Sequence, residues 1–174
     1  MIEEKAKELG LELYVPTFEN DLKLFKWWME LQNSADFERI FTSLDRPLSK
    51  FMQTFEPPCI LVFTCNDSDE INHAIWFTPF ADTPTASFVG YWAHKNIRSS
   101  RHAYAVTKFV YDAAFQIFKT LVGITKHENL LRIHRKLGYN IVGQIPHFIE
   151  DEDAWVVYLT EENFKNSKFY QMEK

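Results

Sequence analysis

Glycine is scarce in this sequence. Only 5 of the 174 residues are glycine, whereas an average usage of about 7% would give roughly twelve. They are Gly10, Gly90, Gly123, Gly138 and Gly143, and no two of them lie within four residues of each other. Phosphate-binding loops of the Walker and G-x-G-x-x-G types need closely spaced glycines, because backbone without Cβ must approach the phosphate there. P-loop and Rossmann nucleotide-binding enzymes are therefore excluded.

Cysteines and long apolar runs are also lacking. The only cysteines, Cys59 and Cys65, fall in one predicted strand, where about 3.3 Å per residue puts their Cα atoms roughly 20 Å apart, too far for a disulfide. No stretch reaches the ~18 uninterrupted apolar residues of a membrane span. The segment Met1–Glu8 is acidic and polar, whereas a signal peptide is basic and then apolar. We therefore expect a cytoplasmic protein without a membrane partner.

Apolar and aromatic residues are plentiful. Hydrophobic residues make up 46% of the chain and aromatic residues 16%, with 16 Phe, 7 Tyr and 5 Trp. This is enough apolar volume for a core that needs no metal or disulfide. At this length we expect a single domain over residues 1–174.

Charge is unevenly distributed along the chain. The net charge of −5 and the pI near 5.7 argue against a general nucleic-acid-binding protein. Residues 83–149 nevertheless carry nine basic side chains against two acidic ones, and Thr83–Tyr111 contains no acid at all. This pattern fits a basic face for a small polyanion. It fits equally well a solvated face balanced by acids that fold next to it.

Periodicity and turn residues predict an α/β (α+β) fold. The predicted order is β-α-α-β-β-β-α-β-α-β-β, with a mixed, mostly antiparallel central sheet flanked by helices. Gly138 is placed to end the second of the later helices in a left-handed conformation. The predicted elements are, in order, strand Leu11–Val15, helix Asn20–Gln32, helix Pro47–Phe55, strands Cys59–Cys65, His73–Phe77 and Ala86–His94, helix His102–Phe118, strand Leu121–Thr125, helix Glu128–Leu137, and strands Asn140–Ile145 and Ala154–Thr160.

This order resembles the GNAT superfamily of N-acetyltransferases. The specific part is His127–Tyr139, which follows that family's N-x-x-A-x-x-x-Y-x-K-x-G-F spacing, with His127 at the Asn position and His134 at the Tyr position. The family's cofactor loop, Q/R-x-x-G-x-G/A, falls on Arg98–Ala103. Arg98 and Ala103 match it, but Arg101 stands at the central glycine. Some phage-encoded GNAT-like proteins are also similar.

The resemblance implies an acyl-CoA-dependent N-acyltransferase that carries an acetyl group from acetyl-CoA to an amine and needs no metal. The loop and helix start would hold the CoA pyrophosphate through backbone N–H groups and basic side chains, and a backbone N–H near the end of the preceding strand would face the thioester oxygen. His134 would be the general acid that protonates the leaving thiolate. The implied cofactor-binding residues are Trp92, Ala93, His94, Arg98, Ser99, Ser100, Arg101, His102, Ala103, His127 and Asn129.

Several alternatives stay open at the level of sequence. A catalytically silent GNAT-like interaction module is compatible with Arg101 at the glycine position. His134 is equally explained as a packing residue between Leu130 and Leu137. His73 and His94 qualify as general bases only by residue type. The amine acceptor, a small molecule or a protein, is undetermined, nucleic acid is not expected, and a homodimer is compatible with the sequence.

Overall fold

The computed structural model describes residues 2–172. Within that range the chain forms seven helices and seven strands, with short 3₁₀ turns at Ser43–Asp45 and Glu128–Leu130. The elements are α1 Ile2–Glu8, β1 Glu12–Leu13, α2 Phe18–Gln32, α3 Phe37–Ile40, α4 Leu48–Gln53, β2 Ile60–Cys65, β3 Ile71–Phe80, β4 Thr83–Ala93, α5 Arg101–Ala114, β5 Thr120–Thr125, α6 Leu131–Leu137, β6 Asn140–Ile149, β7 Glu152–Thr160 and α7 Glu161–Lys165.

The strands form a seven-stranded sheet in the order β1-β2-β3-β4-β5-β7-β6. β2 pairs antiparallel with β1 and β3, and β7 pairs antiparallel with β5 and β6. β4 and β5 pair in parallel through Ala86–Phe88 and Thr120–Val122. The expected α/β fold with a mixed, mostly antiparallel sheet is confirmed.

Three helices were not expected from the sequence. α1 buries no side chain, so it has no apolar periodicity for sequence reasoning to detect. α3 has four residues and α7 has five, and both are too short for a repeat of 3.6 residues to show. α7 begins at an N-cap: the N–H of Asn163 donates to Thr160 Oγ1 at 3.3 Å.

The chain divides into two compact units. Unit one comprises the residues up to Thr78 together with Gly90–Val110, and unit two comprises Pro79–Val89 together with the residues from Tyr111 onward. The expectation of a single domain stays a prediction. Cys59 and Cys65 are free thiols, as expected. Among the described residues, no helix combines the length and the apolarity needed to cross a membrane.

Unit one has an aromatic core around Trp27 of α2. Its ring lies 5.4 Å from the ring centroids of both Phe51 and Trp92 and 5.7 Å from that of Phe55. Trp27 itself is 1% exposed. A buried aromatic side chain removes about 150–250 Å² from water, so this cluster supplies much of the apolar burial of the unit.

Unit two has a separate core on one face of β5 and β7. Leu121, Val157 and Leu159 are fully buried there. Phe164 of α7 is also fully buried and lies 5.3 Å from the ring of Tyr111 and 5.8 Å from that of Phe115. The short helix α7 is therefore fixed mainly by one large apolar side chain.

The end of α6 confirms the role expected of Gly138. This residue is the C-cap and adopts φ +95°, a left-handed conformation that costs least without a Cβ. A Cβ at this position would lie 2.4 Å from the carbonyl oxygen of Asn163. Both the backbone conformation and the approach of α7 therefore require glycine.

We expect Gly138→Ala to lower the free energy of unfolding by at least about 1–3 kcal/mol, the usual cost of a strained backbone conformation. The contact with the Asn163 carbonyl adds to that cost. Gly143→Ala is the matched control, because a Cβ there meets nothing within 4 Å and the residue has no positive φ. Urea unfolding of both variants measures the difference, and equal stability of the two would contradict this account.

Candidate functional site

The loop that follows β4 leads directly into α5. Ser100 is the N-cap of this helix, because its Oγ accepts the Ala103 N–H at 3.0 Å. Arg101, the first residue of α5, is exposed and has no positive φ. The backbone at Arg101 is helical, so the absent glycine leaves no strain behind. Ser99 and His102 are exposed beside it, and Ala103 is buried.

Arg98 is held by groups of unit one. Its Nε donates to the Ala93 carbonyl at 2.7 Å, and its guanidinium forms an ion pair with Asp36. The same carboxylate accepts the indole N–H of Trp92 at 3.4 Å. Arg98 thus ties the end of β4 to the segment before α3. Arg101, by contrast, has no ion-pair partner within residues 2–172.

The three predicted cofactor-binding residues at the end of β4, Trp92, Ala93 and His94, lie in different environments. Trp92 and Ala93 are each 2% exposed, and the Trp92 ring packs against Trp27. The His94 N–H donates to the Asn72 carbonyl at 2.8 Å, so it is already used within the protein. The prediction that a backbone N–H faces a thioester oxygen is therefore restricted to Trp92 and Ala93. The His94 ring lies 3.5 Å from a Glu30 carboxylate oxygen.

His73 is buried deeply, which sequence reasoning did not foresee. It is 0% exposed, and neither ring nitrogen has a hydrogen-bond partner among the described residues. Its ring meets that of Tyr91 edge-on at 5.1 Å. Burial, together with the positive charge that His102 can carry, lowers the pKa of His73 to about 4. His73 is therefore neutral at pH 7.

The protonation of His73 is expected to make stability depend on pH. In the unfolded chain a histidine has a pKa of about 6.5, so between pH 6.5 and the folded value of about 4 only the unfolded chain binds the proton. The free energy of unfolding falls as pH falls through this window, by about 3 kcal/mol in total. Urea unfolding at a series of pH values should show a shallower fall for His73→Phe than for the wild type. Parallel curves would mean that His73 titrates normally.

In unit two, the predicted residues lie around the end of β5 and on α6. The His127 N–H donates to Thr125 Oγ1 at 3.1 Å, and His127 is half-buried at the start of the 3₁₀ turn. Asn129 is exposed in that turn. His134 is half-buried on α6, one helical turn before Gly138.

The ring of His134 is fixed by three neighbours. Nδ1 lies 3.0 Å from the Leu130 carbonyl oxygen, and a carbonyl only accepts, so Nδ1 carries the proton and Nε2 bears the lone pair. The Tyr139 ring meets the His134 ring edge-on at 5.1 Å. A Cβ built on Gly123 of β5 would lie 3.6 Å from Nε2. Burial lowers the pKa of His134, and the bond to Leu130 opposes this only in part.

Two tyrosines extend the contacts of the His134 ring. Neither was predicted from the sequence to be a site residue. The hydroxyl of Tyr139 lies 3.2 Å from that of Tyr111, and both side chains are buried. Burial is the main cause that raises the pKa of Tyr139 well above its usual value. The Tyr139 hydroxyl is therefore protonated at neutral pH. The aromatic residue after Gly138 was the available signal, but the sequence does not show its pairing with Tyr111 of α5.

The basic residues of unit two do not all share one face. Arg132, Arg135 and Lys136 line an open depression of about 540 Å³ together with Lys168, which lies outside the basic stretch of the sequence. Lys126 instead forms ion pairs with Glu150 and Glu152 at 3.3 and 3.0 Å. Arg132, Arg135 and Lys136 thus fit the interpretation as a basic face, whereas Lys126 fits the interpretation as a solvated face balanced by neighbouring acids.

One group of side chains has the composition of a metal site. Within residues 2–172, only Glu12, Cys65 and Asp69 bring three potential ligand atoms within 4.8 Å of one another. The ammonium group of Lys23 lies 2.9 Å from Glu12 and 3.0 Å from Asp69. Lys23 therefore already supplies a positive charge to these carboxylates.

Comparison with known proteins identifies the fold. No family model matches the chain, and no curated protein matches it. Among solved structures, a probable GNAT-family acetyltransferase from Chromobacterium violaceum has a TM-score of 0.69 at 13% identity, covering 90% of this chain and 85% of that one. Spermidine N-acetyltransferase from Vibrio cholerae, in complex with CoA and spermine, has a TM-score of 0.66 at 11% identity, covering 89% and 98%.

Ribosomal-protein-alanine N-acetyltransferase from Brucella melitensis has a TM-score of 0.60 at 15% identity, covering 86% of this chain and 99% of that one. The chain has the GNAT fold, as the sequence pattern predicted. At these identities the likeness establishes the fold, and the activity must be argued from the residues.

Proposed function

We propose that this protein is an acyl-CoA-dependent N-acyltransferase that transfers an acetyl group from acetyl-CoA to an amine. The observation that carries the proposal is a GNAT fold that holds, at the Tyr position of the family motif, a histidine with a defined tautomer. The complex of the Vibrio cholerae enzyme with CoA and spermine supports acyl-CoA as the cosubstrate and a small amine as the acceptor.

In unit one, the start of α5 is proposed to bind the pyrophosphate of CoA. The first N–H groups of a helix have no partners within the helix and attract anions. α5 has 14 residues, begins at Arg101 and is preceded by the Ser100 cap. We assign the phosphate contact to Arg101, because Arg98 is already paired with Asp36. Arg98 then acts as a positioning residue that fixes the loop. His102 and Ala103 would contribute through their backbone.

In unit two, His134 is proposed to handle the proton. Acetyl-CoA supplies the thioester; the new C–N bond forms as the C–S bond breaks, the nitrogen loses one proton and the sulfur gains one. Nε2 of His134 carries no proton at neutral pH, because Nδ1–H is donated to Leu130 and the pKa is lowered by burial. His134 therefore accepts the proton from the amine before it returns one to the departing sulfur. His127 and Asn129 remain proposed cofactor contacts at the start of α6.

Binding of acetyl-CoA is the first test of this function. A ligand at about 100 times its Kd stabilises the folded chain by roughly 2.7 kcal/mol, so we expect acetyl-CoA to raise Tm in a thermal unfolding assay. Arg101→Ala should weaken this shift for acetyl-CoA but not for pantetheine, which lacks the phosphates.

Arg98→Ala is the matched control for Arg101→Ala. It should lower Tm without any ligand, because Asp36 loses its nearest ion-pair partner and Ala93 loses a hydrogen bond to its carbonyl. No shift of the wild type with millimolar acetyl-CoA would overturn the proposed function and favour a silent GNAT-like module. If Arg101→Ala reduces the Tm shift equally for acetyl-CoA and for pantetheine, only the assignment of the phosphate contact is overturned.

Replacement of His134 tests the proposed chemistry. His134→Phe keeps the ring volume and should lower kcat by about 10² to 10⁴, the usual contribution of one acid–base group, while binding of acetyl-CoA is retained. Release of CoA thiol, with spermine among the amines tried, measures the rate. His134→Tyr should recover only the part of the rate that depends on protonating the departing sulfur, because a tyrosine hydroxyl donates a proton but does not accept the one from the amine.

The pH profile separates this role from packing. Because the pKa of His134 is lowered, the wild-type rate should fall only below the usual histidine range, as Nε2 becomes protonated. His134→Phe should lose this acidic limb. Normal turnover in the Phe variant, or its failure to fold, would identify His134 as a packing residue.

A further inference from the structure

Helix α2 carries an apolar stripe on its exposed side. Phe18, Leu22, Phe25 and Met29 follow one another at intervals of four, three and four residues, which places them within about 60° on a helix of 3.6 residues per turn. Their exposed fractions are 86, 43, 40 and 47%. Leu24, Trp27 and Leu31 bury the opposite side of the same helix. α2 is therefore apolar on two opposite faces, and only one of them is covered within unit one.

The spacing of the stripe is that of a coiled-coil seam. Alternating steps of four and three residues keep apolar side chains on one line along a helix pair. Scattered exposed apolar residues need no explanation, whereas a contiguous stripe indicates an interaction surface. The Phe25 ring stacks on that of Trp28 at 6.0 Å, so one member of the stripe is already held in place.

The charges beside the stripe indicate which kind of partner it fits. Glu19 and Lys26 flank the same side of the seam and are both exposed. Lys26 has no ion-pair partner among the described residues, and the Glu19 carboxylate lies 3.9 Å from Lys23. In an antiparallel pair of α2 helices centred between Leu22 and Phe25, Leu22 of each copy meets Phe25 of the other, and Phe18 meets Met29.

In the same arrangement, Lys26 of each copy lies beside Glu19 of the other, with an axial offset of about 3 Å at 1.5 Å per residue. The two-fold symmetry produces this charge pair twice. We propose that the α2 stripe is the interface with a second copy of this chain, formed by antiparallel pairing of the two α2 helices. A two-fold interface must be complementary to itself, and this stripe is complementary to itself in the register of its apolar residues and of its charges.

The size of the stripe sets the strength of the association. A stable dimer usually buries about 800 Å² on each partner, more than four half-exposed side chains on one short helix provide. The dimer should therefore be reversible and dissociate on dilution through the micromolar range. This inference is independent of the proposed acetyl transfer, because the stripe contains none of the residues assigned to it.

Sedimentation equilibrium across the micromolar range tests the proposal. The wild type should show a reversible monomer–dimer equilibrium, and Leu22→Glu should be monomeric at every concentration. Leu44→Glu is the matched control, because Leu44 also lies in unit one, is 76% exposed and is not part of the stripe. It should associate as the wild type does. Circular dichroism checks that both variants are folded.

Charge reversal tests the antiparallel pairing itself. Lys26→Glu and Glu19→Lys should each raise the dimer Kd by several-fold, because each places like charges together, and the double variant should restore it. A monomeric wild type would overturn the proposal and leave the stripe to a different partner. A dimer that persists in Leu22→Glu would place the interface elsewhere. Failure of the double variant to recover would overturn the antiparallel register.

Discussion

Unit one depends on the packing of the Trp27 ring against the aromatic residues around it. The approach of Trp76 to the backbone of β4 is so close that a Cβ at Gly90 would lie 2.0 Å from its indole ring. Gly90 is thus required by space. Trp92 belongs to the same cluster. The last residues of β4 are therefore fixed by the core, and the loop that follows begins from a fixed position.

The same core supports the residues that are proposed to bind phosphate. Trp92 and Arg98 share the carboxylate of Asp36, and Arg98 also bonds to the Ala93 carbonyl. A buried cluster, a shared carboxylate and the Ser100 cap therefore support the start of α5. Binding sites on loops need such support, because an unsupported loop must lose conformational entropy when the ligand binds.

In unit two, the corresponding support is polar and buried. Gly123 leaves room for the His134 ring beside β5, the Tyr139 ring packs edge-on against the imidazole, and the Tyr139 hydroxyl lies 3.2 Å from that of Tyr111. Burial favours the neutral form of the imidazole, and the Leu130 carbonyl selects the tautomer. The residue at the position of the family's tyrosine is thus proposed to be a proton acceptor at neutral pH, whereas a tyrosine hydroxyl there would be a donor.

The sequence by itself determined the order of the seven strands and of four of the seven helices, and the helix stop at Gly138, because these follow from local periodicity and backbone preference. It also proposed His134 and the Arg98–Ala103 loop as candidate site residues through motif spacing. It could not separate Arg98 from Arg101, since Asp36 lies 62 residues away from Arg98 along the chain. The burial of His73, the space above Gly123 and the pairing of Tyr111 with Tyr139 were likewise decided by the tertiary structure, because each depends on residues that only folding brings together.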